Sequence, residues 1–341
     1  MDGNTNARYR TALLVTACLF AVWGLLSVFD VGNLPFNGYQ TDGNNTVTRV
    51  TEGGPAERAG FQVGDYIRVN GGIPVEDAGA LARRPRARIG EVRTFIVERD
   101  GENVSLDLTY TALSSTNKVL VYLGILLGFC FLIFGLIPYL KVPGKRSLLF
   151  ALFGLSLGFA FFGGPNISSY VLRTLIGAVG TILVTLGFAA LLHFTLAFPR
   201  RKAILDKPHS TRLIYGPAVF LSLFLIFRFV VQPPATSALN VITILLVGLF
   251  ILGYFGLSLA AFVHSFVRAD AQERTDQGLV FVLSGLLVGF LPFLFVVLVG
   301  LVAPKVVIPG GNFFFLTLVL IPVSLALAIL KSEKTRAYVS T

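Results

Sequence analysis

Eight long apolar runs dominate this sequence and most strongly constrain what it can fold into. They lie at 11–29, 118–139, 147–163, 171–198, 213–231, 240–267, 278–302 and 313–330. Most of them reach the roughly 20 residues that a helix needs to cross the hydrocarbon core of a bilayer. With 54% hydrophobic and 13% charged residues, the chain of 341 residues is too apolar for an ordinary soluble domain. The runs predict a mainly α-helical polytopic membrane protein with eight transmembrane helices.

Basic residues predict how these helices are oriented. The first run follows Arg8 and Arg10 and lacks a cleavage site of small residues, which indicates an uncleaved signal anchor. If residue 1 is cytoplasmic, four basic residues lie on the outer side: Lys118, Arg173, Arg228 and Lys305. Fifteen lie on the inner side: Arg8, Arg10, Lys141, Lys145, Arg146, Arg200, Arg201, Lys202, Lys207, Arg212, Arg268, Arg274, Lys331, Lys334 and Arg336. This asymmetry predicts that both termini are cytoplasmic.

The basic residues behind the net charge of +10 are therefore expected to orient the helices in the membrane and to contact the lipid bilayer. Nucleic-acid binding would need a soluble basic face, which the sequence lacks, so nucleic acid is not an expected partner.

A polar insert separates the first and second runs. Residues 36 to 113 contain nine Arg, no Lys and eleven Asp plus Glu, in short alternating segments with turn residues between them. Asp100-Gly101 between two such segments predicts a hairpin. The predicted organisation is a tail and signal anchor at 1–32, an extracytoplasmic insert at 33–113, seven helices at 114–331 and a cytoplasmic tail at 332–341.

A spaced set of small residues in the insert carries a family resemblance. The set comprises Gly54, Pro55, Ala56, Ala59, Gly60, Gly64, Asp65 and Gly71. Its spacing resembles the signature of bacterial PDZ domains, in which Pro55 would start a short helix, Gly60 would end it, and Gly64-Asp65 would turn into a strand at Tyr66. The resemblance implies a small α+β PDZ domain between helices 1 and 2.

The PDZ resemblance also implies a peptide-binding groove. Domains of this family add a peptide C-terminus to a sheet edge, while backbone amides of a glycine loop hold its carboxylate. The matching loop contains Asn37, Gly38 and Tyr39, although Asn37 stands where the family has an apolar residue. The groove helix is expected to begin near Val75, with Leu81 as a wall of the side-chain pocket.

Four arginines are expected at the end of the groove helix. Arg83, Arg84, Arg86 and Arg88 could attract an acidic ligand or the outer leaflet. A solvated surface near the carboxylates of the insert is the preferred interpretation.

A PDZ domain beside apolar helices suggests a site-2 protease, which would carry the motifs of intramembrane proteolysis. The sequence contains no His-Glu-x-x-His, and neither His193 nor His264 has an acidic residue within one helical turn. Ser156 lies in a Gly-x-Ser-x-Gly match, but in an apolar helix rather than at a strand-to-helix turn. The chain is thus expected to be non-enzymatic, without metal or cofactor.

Ionisable residues within apolar runs are functional candidates by default, which singles out His193 and His264. The alternative for each is a hydrogen bond to a neighbouring helix, and this interpretation is preferred. The small-residue pairs Gly124/Gly128, Gly154/Gly158 and Gly285/Gly289 are interpreted as helix-packing contacts.

Two further segments suggest a role. The stretch "LLHFTLAFPRR" and the final run "LIPVSLALAILKSEK" resemble the membrane input region of bacterial sensor histidine kinases, nearest to competence-pheromone sensor kinases. After Leu330 only eleven residues remain, without a kinase. The resemblance implies a sensory or scaffolding protein of the plasma (bacterial inner) membrane, with a cytoplasmic kinase or phosphatase as partner. An atypical intramembrane protease and a transporter are the alternatives.

Overall fold

The computed structural model describes residues 3–234, 237–302, 306 and 308–339. Its α-helices are α1 (Gly3–Asp30), α2 (Pro55–Ala59), α3 (Ala78–Arg83), α4 (Ser115–Lys141), α5 (Lys145–Phe162), α6 (Tyr170–Ala197), α7 (Ser210–Val231), α8 (Ala238–Arg268), α9 (Ala271–Asp276), α10 (Leu279–Val302) and α11 (Leu320–Val339). Within these residues, eight helical segments are long and apolar enough to cross a membrane. The predicted number of apolar helices is confirmed.

The eight long segments alternate in direction and form one bundle. We call the end where α1 finishes and α4 begins the insert end, and the other the opposite end. The basic residues assigned to the cytoplasm lie at the opposite end, at the boundaries and connections of these helices. Lys305 and the side chains of Lys334 and Arg336 lie outside the described residues.

The last apolar segment departs from a regular α-helix. Gly311–Val319 forms a 3-10 helix, and α-helical structure starts only at Leu320. Pro322 has no N–H to donate to the carbonyl of Leu318, so the α-helical pattern cannot extend backward through this turn unbroken. The Thr317 hydroxyl of the 3-10 helix donates to the carbonyl of Gly289 at 2.7 Å, which ties this segment to α10.

Glycines bring α4 and α5 into close contact. A Cβ on Gly154 would lie 2.6 Å from the Cα of Gly135, and one on Gly158 would lie 2.9 Å from the carbonyl oxygen of Gly128. No ordinary side chain fits at these distances, which supports the packing interpretation. Gly124 is the exception, since its nearest neighbour would be at 3.8 Å.

The insert contains strands β1 (Pro35–Phe36), β2 (Tyr39–Thr41), β3 (Val47–Val50), β4 (Tyr66–Asn70), β5 (Ile73–Pro74), β6 (Val92–Arg99), β7 (Glu102–Thr109) and β8 (Thr111–Ala112). They form a sheet in the order β5-β4-β6-β7 and the antiparallel pairs β2-β3 and β1-β8. Because β1 follows α1 and β8 precedes α4, the chain enters and leaves the insert through neighbouring strands.

Several local predictions in the insert are confirmed. Pro55 is in the first turn of α2, and Gly60 ends that helix with φ +90°. Asp100 and Gly101 have φ +53° and +84° and join β6 to β7. Both residues have the positive φ that a two-residue hairpin turn requires, which explains why this dipeptide was a reliable signal.

The expected start of the groove helix near Val75 is wrong. Helix α3 begins at Ala78, where the Asp77 carboxylate accepts the Ala80 N–H at 2.8 Å. Val75 lies before the helix, and its N–H donates to the Arg68 carbonyl at 2.9 Å. The N-cap at Asp77 thus sets a later helix start than the apolar pattern suggested.

Candidate functional site

The candidate site rests on the core of the insert. Phe95, Val97 and Leu108 are fully buried, and Tyr39, Val50, Ala59, Leu81 and Val104 pack around this cluster. The ring of Tyr39 stacks on Phe61 with centroids 5.1 Å apart, and Phe61 meets Phe95 edge-on at 5.4 Å. The core therefore fixes β2, which carries Tyr39, and α3, which carries Leu81, relative to each other.

Asp65 joins the turn before β4 to the end of β6. It is 1% exposed, and Arg99 donates to both of its carboxylate oxygens, at 2.7 and 2.8 Å. The Gln62 N–H donates to the same carboxylate at 2.8 Å. Burial alone would raise the pKa of Asp65, but the hydrogen bonds from Arg99 and Gln62 outweigh it and lower the pKa below its usual value.

The loop before β2 holds the three residues matched to the carboxylate-binding loop. Gly38 is buried with φ +81°, and a Cβ there would lie 2.8 Å from Cδ of Pro55. The Tyr39 side chain points into the core, where burial raises its pKa and a hydrogen bond from Asn37 partly opposes that rise. The carbonyl of Gly38 accepts the Thr51 N–H at 2.8 Å, which ties this loop to the residue after β3.

The pairing of β2 leaves one of its edges without a partner strand among the described residues. On its other edge β2 pairs with β3, in register Tyr39 with Val50 and Gln40 with Arg49. Within the described part of the chain, no further strand is hydrogen bonded to β2. Leu81, predicted to line the pocket, is half-buried on α3 against the same core as Tyr39.

The four arginines after the groove helix differ in their surroundings. Arg83, Arg86 and Arg88 are exposed, in line with a solvated surface. Arg84 contradicts this expectation, because its guanidinium donates to the carbonyl and side-chain oxygens of Asn70, at 2.8 and 3.1 Å. The Arg84 guanidinium occupies the space that a side chain at position 71 would need, which explains why a glycine stands there. Burial and the charge of Arg93 lower the pKa of Arg84.

Arg173 connects the insert to the bundle. It lies in the first turn of α6 and donates to the carbonyl of Ala82 at 2.9 Å and to that of Arg84 at 3.0 Å. These carbonyls are among the last of α3, where a cation is favourable. In the sequence, Arg173 is recognisable only as an outer basic residue, because its position near the start of a run does not reveal this partner.

The two histidines of the apolar helices lie in different surroundings. His193 Nδ1 is 3.3 Å from the hydroxyl oxygen of Tyr215 on α7. His264 lines a cavity at the opposite end of the bundle. The Ser156 hydroxyl donates to the Leu152 carbonyl of its own helix at 2.7 Å. Among the described residues, no hydrogen bond joins Ser156 to a histidine, and no three His, Cys, Asp or Glu side chains form a potential metal site.

Comparisons with known proteins match parts of the chain. A family model described as PDZ domain matches residues 46–99. A Mesorhizobium japonicum protein named provisionally as a zinc metalloprotease is 33% identical over 100 residues, 29% of this chain and 27% of that protein. Tax1-binding protein 3 of Homo sapiens is 56% identical over 43 residues, 12% of this chain and 35% of that protein, and that of Mus musculus matches equally. The chain thus covers about a quarter to a third of these relatives.

The family match confirms a PDZ domain at residues 46–99. Leu81 falls within the matched range, whereas Asn37, Gly38 and Tyr39 precede it. The resemblance to sensor histidine kinases gains no support from these matches and stays a prediction.

Proposed function

We propose that this chain is a non-enzymatic plasma-membrane protein whose extracytoplasmic PDZ domain binds a peptide or protein C-terminus. Two observations carry the proposal. A PDZ domain matches residues 46–99, and the neighbouring β2, which packs on the same core as Leu81, has one edge to which no described strand is paired. A peptide would lie along that edge and place its carboxylate at the backbone of Gly38 and Tyr39.

The contact of Arg173 supports a signalling or scaffolding role beyond peptide capture. A ligand that shifts α3 would change the hydrogen bonds of Ala82 and Arg84 to Arg173, and thereby the start of α6. Helix α6 ends at the opposite end of the bundle, beside the basic loop at 199–209. A cytoplasmic kinase or phosphatase would be the partner that responds there.

Peptide binding is tested with the full chain in lipid nanodiscs and a fluorescent library of heptapeptides with free C-termini. Peptides that bind should lose about tenfold or more in affinity when amidated, because charged hydrogen bonds to the carboxylate are lost. Leu81→Glu should weaken binding, whereas Val63→Glu, at a site 63% exposed, is the matched control. Equal affinity for free and amidated peptides would contradict the proposal.

The orientation is tested separately by cysteine labelling in intact cells. In a background with Cys18 and Cys130 replaced by alanine, Arg83→Cys should react with an impermeant maleimide, while Lys207→Cys should react only after lysis. The reverse pattern would place the PDZ domain in the cytoplasm.

An intramembrane protease that presents substrates through the PDZ domain is the alternative, suggested by the name of the Mesorhizobium japonicum relative. The absence of His-Glu-x-x-His in this sequence argues against a zinc mechanism. Cleavage of membrane-anchored peptides by the purified chain, abolished by changing Ser156, His193 or His264, would establish the alternative.

A further inference from the structure

A cavity of about 720 Å³ lies at the opposite end of the bundle, far along α6 and α8 from the insert. Its walls come from the last turns of α6, the first turns of α7 and the last turns of α8, and its rim from the loop after α6. This size is in the range of small-molecule sites, which are mostly apolar with a few placed polar groups.

The walls of the cavity are apolar and open to the side of the bundle. Leu213 on α7 and Leu257 on α8 line it and are 65% and 58% exposed. One turn from Leu257, the Tyr254 hydroxyl donates to the Ile214 carbonyl at 2.6 Å and bridges α8 to α7. The cavity is thus a lateral slot between two helices, accessible from the region that lipid chains would occupy if the bundle spans a bilayer.

The rim of the cavity is positively charged. Arg200 and Arg201 have carboxylate partners, Glu273 at 2.6 Å and Asp206 at 2.8 Å. Lys202 and Arg268 also line the cavity, and within the described residues neither forms an ion pair with a carboxylate. His264 lies one turn before Arg268 on the same face of α8.

Among the described residues, the hydrogen-bond partners of Lys202 are neutral. Its ammonium donates to the Ser265 hydroxyl at 2.6 Å and to the Thr195 carbonyl at 3.2 Å, so it lies between α6 and α8. Partial burial lowers the pKa of Lys202. A half-buried ammonium with only neutral partners is unfavourable, and an anion beside it would offset this cost.

We propose that this cavity binds a phospholipid with an anionic headgroup, its acyl chain in the slot and its phosphate at Lys202 and Arg268. An apolar lateral slot lies beside two cations, Lys202 and Arg268, that no described carboxylate neutralises, and this combination fits an anionic amphiphile. A free anion would not use the slot, and an acidic peptide from solution would meet Leu213 and Leu257 only within the lipid region. The inference relies on the proposed membrane location but not on the PDZ ligand.

The test uses the purified full chain in a neutral detergent, with bound lipid counted by native mass spectrometry during titration. Dioleoyl phosphatidylglycerol should bind at one molecule per chain, more tightly than dioleoyl phosphatidylcholine. The double variant Lys202→Gln with Arg268→Gln should weaken phosphatidylglycerol binding about thirtyfold, since each basic residue near an anionic lipid contributes about fivefold. The double variant Lys207→Gln with Arg212→Gln loses the same charge outside the cavity and should bind normally.

A second variant tests whether the apolar slot contributes to lipid binding independently of the charged residues. Ala260 lines the cavity and is exposed toward it, so Ala260→Phe should fill the slot and reduce lipid binding without changing charge. Equal binding of the two lipids, equal losses in both double variants, or unchanged binding in Ala260→Phe would each overturn the proposal. If inorganic phosphate or a soluble acidic peptide displaces phosphatidylglycerol at an equal concentration, Lys202 and Arg268 bind that ligand and the lipid proposal is wrong.

Discussion

At the scale of single residues, two buried positions of the insert have distinct structural roles. Asp65 is buried and bound by Arg99 from the end of β6, so it stabilises the domain from within. Gly38 supplies a positive φ and leaves room for Pro55. Neither role requires a ligand, which means that changes at these positions report first on folding.

Asp65→Asn should destabilise the PDZ domain by about 2 kcal/mol, because breaking a buried pair leaves Arg99 without its carboxylate. Arg99 is 24% exposed, so water compensates part of the loss. The free energy is measured in the full chain by hydrogen exchange of β6 and β7. Glu98→Gln is the control, since its pair with Arg68 is solvent-exposed and should contribute at most about 1 kcal/mol.

The same pair predicts sensitivity to acid. The folded pKa of Asp65 is below its unfolded value of about 3.9, so its contribution is complete above that value. Stability should fall as the pH decreases through the folded pKa, because the unfolded state binds the proton more readily. Asp65→Asn should flatten this part of the pH profile, and an unchanged profile would contradict the assignment.

Gly38→Ala should destabilise the domain more than Gly72→Ala. Both residues have φ +81°, so each substitution places an alanine in a left-handed backbone conformation, at a cost of about 1–2 kcal/mol. Only at Gly38 would the new Cβ also meet Pro55, at 2.8 Å, whereas nothing lies within 4 Å at Gly72. Hydrogen exchange of β2 and β3 measures the difference, and equal effects would show that Pro55 moves aside.

At the scale of elements, small residues determine how the apolar helices approach. Helices α4 and α5 touch through Gly128, Gly135, Gly154 and Gly158, where backbone meets backbone. Helix α8 also contains glycines, but Gly248, Gly253 and Gly256 have no neighbour within 4 Å of a Cβ position. The same residue type therefore has different consequences in the two helices.

Gly154→Val should loosen the pairing of α4 and α5, with a cost of about 1–3 kcal/mol from overpacking. Gly256→Val is the matched control and should change stability little, since its side chain would enter open space. Thermal unfolding of the full chain in detergent measures both variants. Val has a higher helix propensity than Gly, so propensity should not lower either melting temperature. If the two melting temperatures fall equally, the close contact of α4 and α5 is not the source of the cost.

The sequence predicted elements well where a local residue determines the backbone. Pro55, Gly60 and the Asp100-Gly101 pair act through their own dihedral preferences, so they could be recognised without a structure. The start of α3 was misplaced because the cap at Asp77 outweighs the apolar pattern around Val75. Arg84 and Arg173 could not be assigned, because their partners Asn70, Ala82 and Arg84 are brought together only by tertiary structure.

At the scale of the whole molecule, the described contacts join the PDZ domain to a bundle of apolar helices. Strands β1 and β8 tether the insert to α1 and α4, and Arg173 adds a second attachment on α6. The cavity at the opposite end lies between the far ends of α6 and α8. Helix α6 thus runs from the groove helix to the proposed lipid site.

Arg173→Ala should free the end of α3 and uncouple the PDZ domain from α6. Its two hydrogen bonds to carbonyls are charge-assisted, so their loss should accelerate hydrogen exchange in residues 78–84 about tenfold or more. Arg228→Ala is the control, because that arginine also lies at the insert end but binds Asn240 within the bundle.

In the wild-type chain a bound peptide should change the hydrogen-exchange protection of the first turn of α6, and in Arg173→Ala it should not. If Arg228→Ala has the same effect on residues 78–84, or if peptide binding still reaches α6 without Arg173, the coupling runs through β1 and β8 instead.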